Sequence, residues 1–456
     1  MRYFLWLPVL ALFFHTCPAA AQTAASYKNI DSLIETGSMV DAMMALQELK
    51  TQHRKDTGTA DYWLRYAQAS YAFRQPDDGL KAINKAISFN PKKAEYYFEK
   101  GVLTNSEATL DTALAAFTQA ITLQKEGKYY YWRGIVQQRL GQNGAAEKDY
   151  QQATSLSFET PELYNNLAIL QAGDARFAEA LSSVNKALAL KPQYAQAYSA
   201  RGKINLYTGQ IKAACEDIAK AQTLNHRNTF DIPDSVCNGN AGLQLQFAAE
   251  LNLSSKFYQQ AINCYTRLIA MPSPASDFYL NRGFCYYNLQ DYKHAEADYL
   301  KALTLPGATV DQLYDNLSLL YFDQAQYPKS IEYATKRITL NPQNPVPYID
   351  RGLAYRKIKQ YKEAEKDFNQ SLTIQPGFFR ALGYRAFLHL ELEQYQLAFD
   401  DALSSVRQNT EYGYGYVVLA QAKMGLGMKD YCMDLLNGRK FGEEKYADPL
   451  IQQYCK

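Results

Sequence analysis

From Asp61 to Pro91 the chain reads DYWLRYAQASYAFRQPDDGLKAINKAISFNP, and its apolar positions fall into two runs of helical period. An aromatic or apolar residue leads and a small residue follows four positions on. About twelve residues later come a second small residue, an aromatic or apolar one, a third small one and a proline. The same order recurs in EYYFEKGVLTNSEATLDTALAAFTQAITL (Glu95 to Leu123) and in PYIDRGLAYRKIKQYKEAEKDFNQSLTIQP (Pro347 to Pro376). Two helical runs in close succession predict an antiparallel helix pair. The closing proline (Pro91, Pro192, Pro342, Pro376) stops the second helix, because it lacks an N–H and clashes with the preceding turn.

Self-similarity at a fixed period governs the whole chain. The small residue early in the second helix is traced as Ala42, Gly79, Ala113, Ala146, Ala180 and Ala214, then Ala261, Ala295, Ser330, Ala364, Ala398 and, less well, Tyr431. Steps are 33 to 37 residues except for one of 47 between Ala214 and Ala261, which predicts six repeats, an interruption and six more. A large side chain where the helices cross would hold them apart, so this position stays small. The pattern resembles the tetratricopeptide repeat family, and the resemblance covers nearly all of the chain after its first residues. It implies an all-α fold, an α–α superhelix (a solenoid) in two tandem six-repeat arrays, spanning residues 22–237 and 238–456. The terminal repeats fit least well, as capping repeats do.

In this family the first helices line an inner face that commonly binds extended or helical peptides. The resemblance places Phe98, Tyr131, Leu280, Phe284, Tyr287, Phe322, Ile349 and Phe387 on that face, with Val102, Ile135, Leu353 and Leu390 beside them. Such an apolar track reads either as a partner groove or as packing between repeats, and both readings stay open. Members that recognise a C-terminal carboxylate use a first-helix lysine; the matching positions here hold Leu64, Phe98, Tyr131, Asn165, Ser199, Leu280, Asp315, Ile349 and Gly383. No carboxylate clamp is expected.

A row of arginines suggests an acidic ligand until its partners are counted. Arg133, Arg201, Arg282, Arg351 and Arg385 are each followed sixteen residues later by Asp149, Asp217, Asp298, Asp367 and Asp401. Repeats with Leu167 or Leu317 in the arginine place have Ser183 or Tyr333 in the aspartate place, so the two residues come and go together. Structural ion pairs across each hairpin are the expectation.

Cysteine enters the same way. Cys215 and Cys237 lie 22 residues apart near the middle, Cys432 and Cys455 lie 23 apart at the end, and each stretch opens Cys-x-Asp. Two disulfides, each closing one array, are expected. Cys264 and Cys285 form a third bridge or stay as free buried thiols. The spacings lack a Cys-x-x-Cys and the histidines are scattered, so no metal and no cofactor is expected.

The N-terminus, MRYFLWLPVLALFFHTCPAAAQ, has one basic residue, an apolar run from Tyr3 to Phe14 and small residues Ala19, Ala20 and Ala21. It reads as a signal peptide over residues 1–21, which implies an exported chain. The look of the signal and the style of the repeats resemble those of a bacterial protein, which implies the periplasm, cell envelope or medium. No membrane insertion is expected after cleavage. With 48 basic and 46 acidic residues, the formal charge of +2 gives no case for nucleic acid. The 37 tyrosines against 24 glycines and 16 prolines suit a packed helical protein. His53, His226, His294 and His389 sit in no nucleophile or metal motif, and the sequons at Asn252, Asn316 and Asn369 fall within predicted helices. The functional expectation is a non-enzymatic scaffold that binds a protein or peptide through an apolar, aromatic face. The alternatives are a homo-oligomer that pairs through that face, or a carrier of hydrophobic small molecules.

Overall fold

The computed structural model describes residues 27–51, 53–224 and 232–455. The expected signal peptide lies outside these residues, as does His226. The described residues contain 26 α-helices, two short 3-10 turns and no strand. The fold is an all-α solenoid of hairpins. Six hairpins run from Lys28–Glu35 with Met39–Thr51 to Ala195–Tyr207 with Ile211–Thr223. A four-residue helix, Asp234–Cys237, precedes six more, from Ala241–Ser254 with Tyr258–Ile269 to Gly413–Gly425 with Cys432–Lys440, and the helix Glu444–Tyr454 follows. The chain divides into two compact units, one of residues 1–205 and 212–231, the other of residues 206–211 and 232–456. The second unit thus includes the end of the sixth hairpin's first helix, where Asn252 Nδ2 donates to the Tyr207 carbonyl at 2.9 Å. That bond gives the Asn252 sequon a structural use inside the core, since the residue is buried.

Each hairpin closes on a small residue meeting a large one. Ala42, Ala113, Ala146, Ala180, Ala214, Ala261, Ala295, Ala364 and Ala398 are all fully buried. A second small position on the first helix does the complementary job. A Cβ built on Gly134 would stand 2.7 Å from the Tyr150 ring, and one on Gly283 2.7 Å from the Tyr299 ring. Both rings belong to the residue sixteen positions later, so backbone and aromatic face touch directly. Tyr431 corrects the sequence reading: it sits one residue before Cys432–Lys440 and is half-buried. Buried Leu435 and Gly438 fill that helix's inner side instead.

Most turns between paired helices share one geometry, the exception being the one from Leu103 to Leu110, which holds the 3-10 turn Glu107–Thr109. The first helix ends on a left-handed residue: Arg74, Ala175, Gln290, Ala325, Lys359 and Glu393, with Gly141 and Gly209 at two further turns. The residue after it donates back to a carbonyl five positions earlier: Gln142 to Gln137 at 2.8 Å, Asp291 to Tyr286 at 2.9 Å, Gln394 to His389 at 2.8 Å. This closure satisfies the last carbonyls of the first helix and reverses the chain within a few residues. Each unit thereby presents its first helices side by side.

Candidate partner-binding face

Three residues expected on the inner face are buried. Tyr131 packs against Tyr150 and Phe158. Leu280 lies in a core with Ala295, Tyr299 and Leu313. Ile349, 0% exposed, lies with Ala364, Phe368 and Ala381. The reason is helical spacing. Each stands three residues before a glycine at the helix crossing (Gly134, Gly283, Gly352), on the same stripe, so it faces the hairpin interior. Phe98, three before Gly101, is half-buried among Phe117, Tyr129 and Trp132 for the same reason.

The open positions lie one residue after the small one. In the second unit these are Phe284 at 40% exposure, Leu319 at 49%, and the half-buried Leu353 and Phe387; in the first they are Val102, Ile135 and Ile169, the last 46% exposed. Sequence reading missed Leu319 and Ile169. Their signal was present, since each directly follows Ser318 or Ala168 in the place that Phe284 takes after Gly283. Tyr287 and Phe322 are half-buried one turn further on.

Polar contacts tie successive first helices together along this face. The Tyr287 hydroxyl donates to Asp323. Arg356 Nη1 donates to Glu391 at 2.9 Å, with its guanidinium 4.7 Å from the Phe387 ring centre. In the first unit Gln68 Nε2 donates to Glu99 at 3.0 Å. Burial pushes the Glu99 carboxyl up to about 7 against the opposing pull of the Gln68 amide.

The five arginines are forks with a third tine. Arg133 holds Asp149 through Nε at 2.7 Å and Nη2 at 2.8 Å, and the same two-point grip recurs at Arg201–Asp217, Arg282–Asp298, Arg351–Asp367 and Arg385–Asp401. The remaining Nη1 reaches back to the preceding hairpin: Thr118 for Arg133, Asn185 at 2.9 Å for Arg201, Thr266 at 3.1 Å for Arg282, Thr335 at 3.1 Å for Arg351, and Asn369 at 2.6 Å for Arg385. One guanidinium therefore sets both the angle within a hairpin and its register on its neighbour. Two further pairs fall outside the sixteen-residue rule. Arg65 grips Asp31 at 2.7 and 3.0 Å, and Lys423 Nζ lies 2.8 Å from Asp434, the aspartate that follows no arginine.

Arg337 departs from this one-to-one pairing. Its Nε lies 3.2 Å from Asp311, and its Nη1 contacts Asp315 and lies 3.4 Å from Asp350. Burial is the largest cause raising both Asp315 and Asp350; for Asp350, pushed up to about 6, the Asp315 charge adds to it, while Arg337 and Arg380 pull the other way. A carboxyl held above its ordinary 3.8 binds its proton more tightly folded than unfolded, so its contribution to stability falls as pH rises from about 4 to about 6. Asp350→Asn is expected to stabilise the fold at pH 7.5 by about 1–2 kcal/mol after solvent screening, seen as a higher thermal midpoint, and to change it little near pH 4. Melts across that range check this; a lower midpoint at pH 7.5 would mean that the bond to Arg337 outweighs burial.

Cys432 and Cys455 are joined in a disulfide, and Cys215 and Cys237 are both disulfide-bonded. Cys264 and Cys285 are free and buried, the second of the two readings left open. Being level along neighbouring helices does not aim two Cβ vectors at each other. Burial pushes the Cys264 thiol up to about 11 and that of Cys285 to about 12, so both are neutral packing groups. His389 is buried with Nδ1 2.7 Å from Gln394, while His53 and His294 pair with Asp56 and Asp291. Among the described residues no group of three or more His, Cys, Asp or Glu is placed to hold a metal ion, and no helix is long and apolar enough to cross a membrane.

A family model described as tetratricopeptide repeat matches residues 127–160, 276–308 and 347–378. The chain is 21% identical over 347 residues to human DnaJ homolog subfamily C member 7, covering 71% of this chain and 67% of that protein. It is 22% identical over 312 residues to a BBSome complex member BBS4 homolog of Drosophila melanogaster, covering 66% and 62%. The chain thus spans about two thirds of the length of these relatives. Among solved structures, yeast Tom70 aligns at 16% identity over 87% of this chain and 95% of that one, with a TM-score of 0.39. YrrB, described as a TPR protein with an unusual peptide-binding site, aligns at 20% identity over 40% and 93%, with a TM-score of 0.34. The three matched segments each coincide with a hairpin built on a buried small residue and an Arg–Asp fork, so the chain carries tetratricopeptide repeats.

Proposed function

We propose that the chain is a non-enzymatic scaffold that holds a protein or peptide partner on the first-helix face of its repeats, and that it acts after export, in a bacterial cell envelope. The observation that carries the binding reading is the exposed apolar row, with Phe284 and Leu319 in the second unit and Ile169 in the first at equivalent places of their hairpins. Isolated exposed apolar residues need no explanation, but a row repeated in register is what a partner surface requires. Export is supported by the leader-like N-terminus and by disulfides, which persist in oxidising compartments.

Phe284→Glu with Leu319→Glu is expected to strip captured proteins from the full chain in a pull-down from envelope extract. Both side chains are exposed, so the loss of stability should stay below about 1 kcal/mol, most of it from the new carboxylate at 319 beside Asp315 and Asp323. Retention of the same captured proteins by the double variant defeats the reading.

Self-association has its own supporting observation. The second helix of the N-terminal hairpin leaves Met39, Val40, Met43 and Met44 exposed, although a capping repeat ordinarily turns a polar side outward. Light scattering across concentration decides it, and a constant monomer mass removes it.

A further inference from the structure

In the second unit the apolar row is flanked unevenly by charge. Helix Val310–Asp323 carries Asp311, Asp315, Leu319 and Asp323 at four-residue steps, so three carboxylates and the exposed leucine share one stripe. On the next first helix Asp350 stands three residues before Leu353. Elsewhere in the unit one arginine takes one aspartate, as at Arg282, Arg351 and Arg385. Here Arg337 serves Asp311, Asp315 and Asp350 together. Arg380 is near enough to pull on both Asp315 and Asp350, which still leaves one carboxylate more than there are guanidiniums. Asp323 takes a neutral donor, the Tyr287 hydroxyl.

The surplus is partly desolvated, which costs energy when all its members are ionised. A visiting cation would relieve that cost, and a visiting anion would add to it. We propose that this face takes a peptide alternating apolar and basic side chains, with apolar groups along Phe284, Leu319 and Leu353 and a lysine or arginine beside Asp315 and Asp350. This names the class of partner and rests on the docking reading above. The apolar contacts supply burial, and the carboxylates select the sign of what lies between them. The absence of a clamp lysine, with Asp315 in its place, fits the same preference.

The probe is a short fluorescein-labelled peptide of alternating leucine and lysine, read by anisotropy on the full chain. Equal-length leucine–glutamate and serine–lysine peptides serve as comparisons. The leucine–lysine peptide is expected to bind at least about tenfold tighter than either. Asp315→Asn with Asp350→Asn is expected to weaken it about tenfold while melting no lower than wild type at pH 7.5, so a loss of binding is not a loss of fold. Equal or tighter binding of the glutamate peptide overturns the proposal. So does equal binding of the serine peptide, or an affinity unchanged in the double Asn variant. Should Phe284→Glu with Leu319→Glu still release the captured proteins, only the peptide class fails; should those proteins stay bound, the docking reading fails first.

Discussion

Arg282→Ala is expected to destabilise its hairpin by about 3–5 kcal/mol, and Arg282→Met with Asp298→Leu is expected to cost clearly less. The single change leaves the Asp298 carboxylate, 5% exposed, with its two strongest donors removed. Water cannot replace them without opening the crossing where Tyr299 lies against Gly283. The double change removes charge and partner together and returns apolar volume to the gap. It still loses the bond from Nη1 to Thr266, so a residual cost remains at the joint with the preceding hairpin. Arg282→Lys should fall between them, because an ammonium keeps the charge and loses the fork. Repeat arrays need not melt in one step, so thermal melts should be paired with amide exchange in Ser276–Asn288 and Tyr292–Leu303. Equal loss in the single and double variants, or none in either, would show that the fork does not set the hairpin.

The fold was readable because its constraint repeats. A helix crossing admits only a small residue, so Ala113, Ala146 and Ala180 mark successive hairpins. A fork needs both its ends, so Arg133 with Asp149, and Leu167 with Ser183, carry the pairing signal inside one sequence. What sequence reading missed depends on direction rather than period. Ile349 and Leu353 are both apolar residues of one helix, yet one is buried in the hairpin and the other is half-buried at the edge of the open face, a difference of only about 40° around the helix axis. The third donor of each fork reaches a threonine or asparagine on the preceding hairpin, and neither residue type stands out by composition. Arg337 gathers carboxylates from 26, 22 and 13 residues away, intervals that match no repeat period. Cys264 and Cys285 show the same limit, since position along a helix says nothing of where a thiol points.

Removing the terminal disulfide by Cys432→Ser with Cys455→Ser is expected to release the helix Glu444–Tyr454 while the hairpins before it stay protected. That helix buries little of its own: Ala447 is its buried residue, Tyr446 and Tyr454 stand about half exposed, and Pro449 interrupts its hydrogen bonding. Burying Ala447 and half-burying Leu450 and Ile451 contributes about 2–3 kcal/mol, well below the cost of ordering eleven residues. The link across 23 residues is worth about 3 kcal/mol in the chain-entropy account, about as much as that packing, so the segment needs both to stay down. Once it is freed, the outer side of Cys432–Lys440 faces water with Met433 and Leu436 already exposed. Fast exchange should therefore appear in Glu444–Tyr454 first and spread into Cys432–Lys440, with Gly413–Gly425 little changed, because Val417, Val418 and Leu419 are buried and the last two pack into the preceding hairpin's core. Protection of Glu444–Tyr454 equal to wild type in the double serine variant would mean that its packing suffices and that the disulfide is incidental to closing the array.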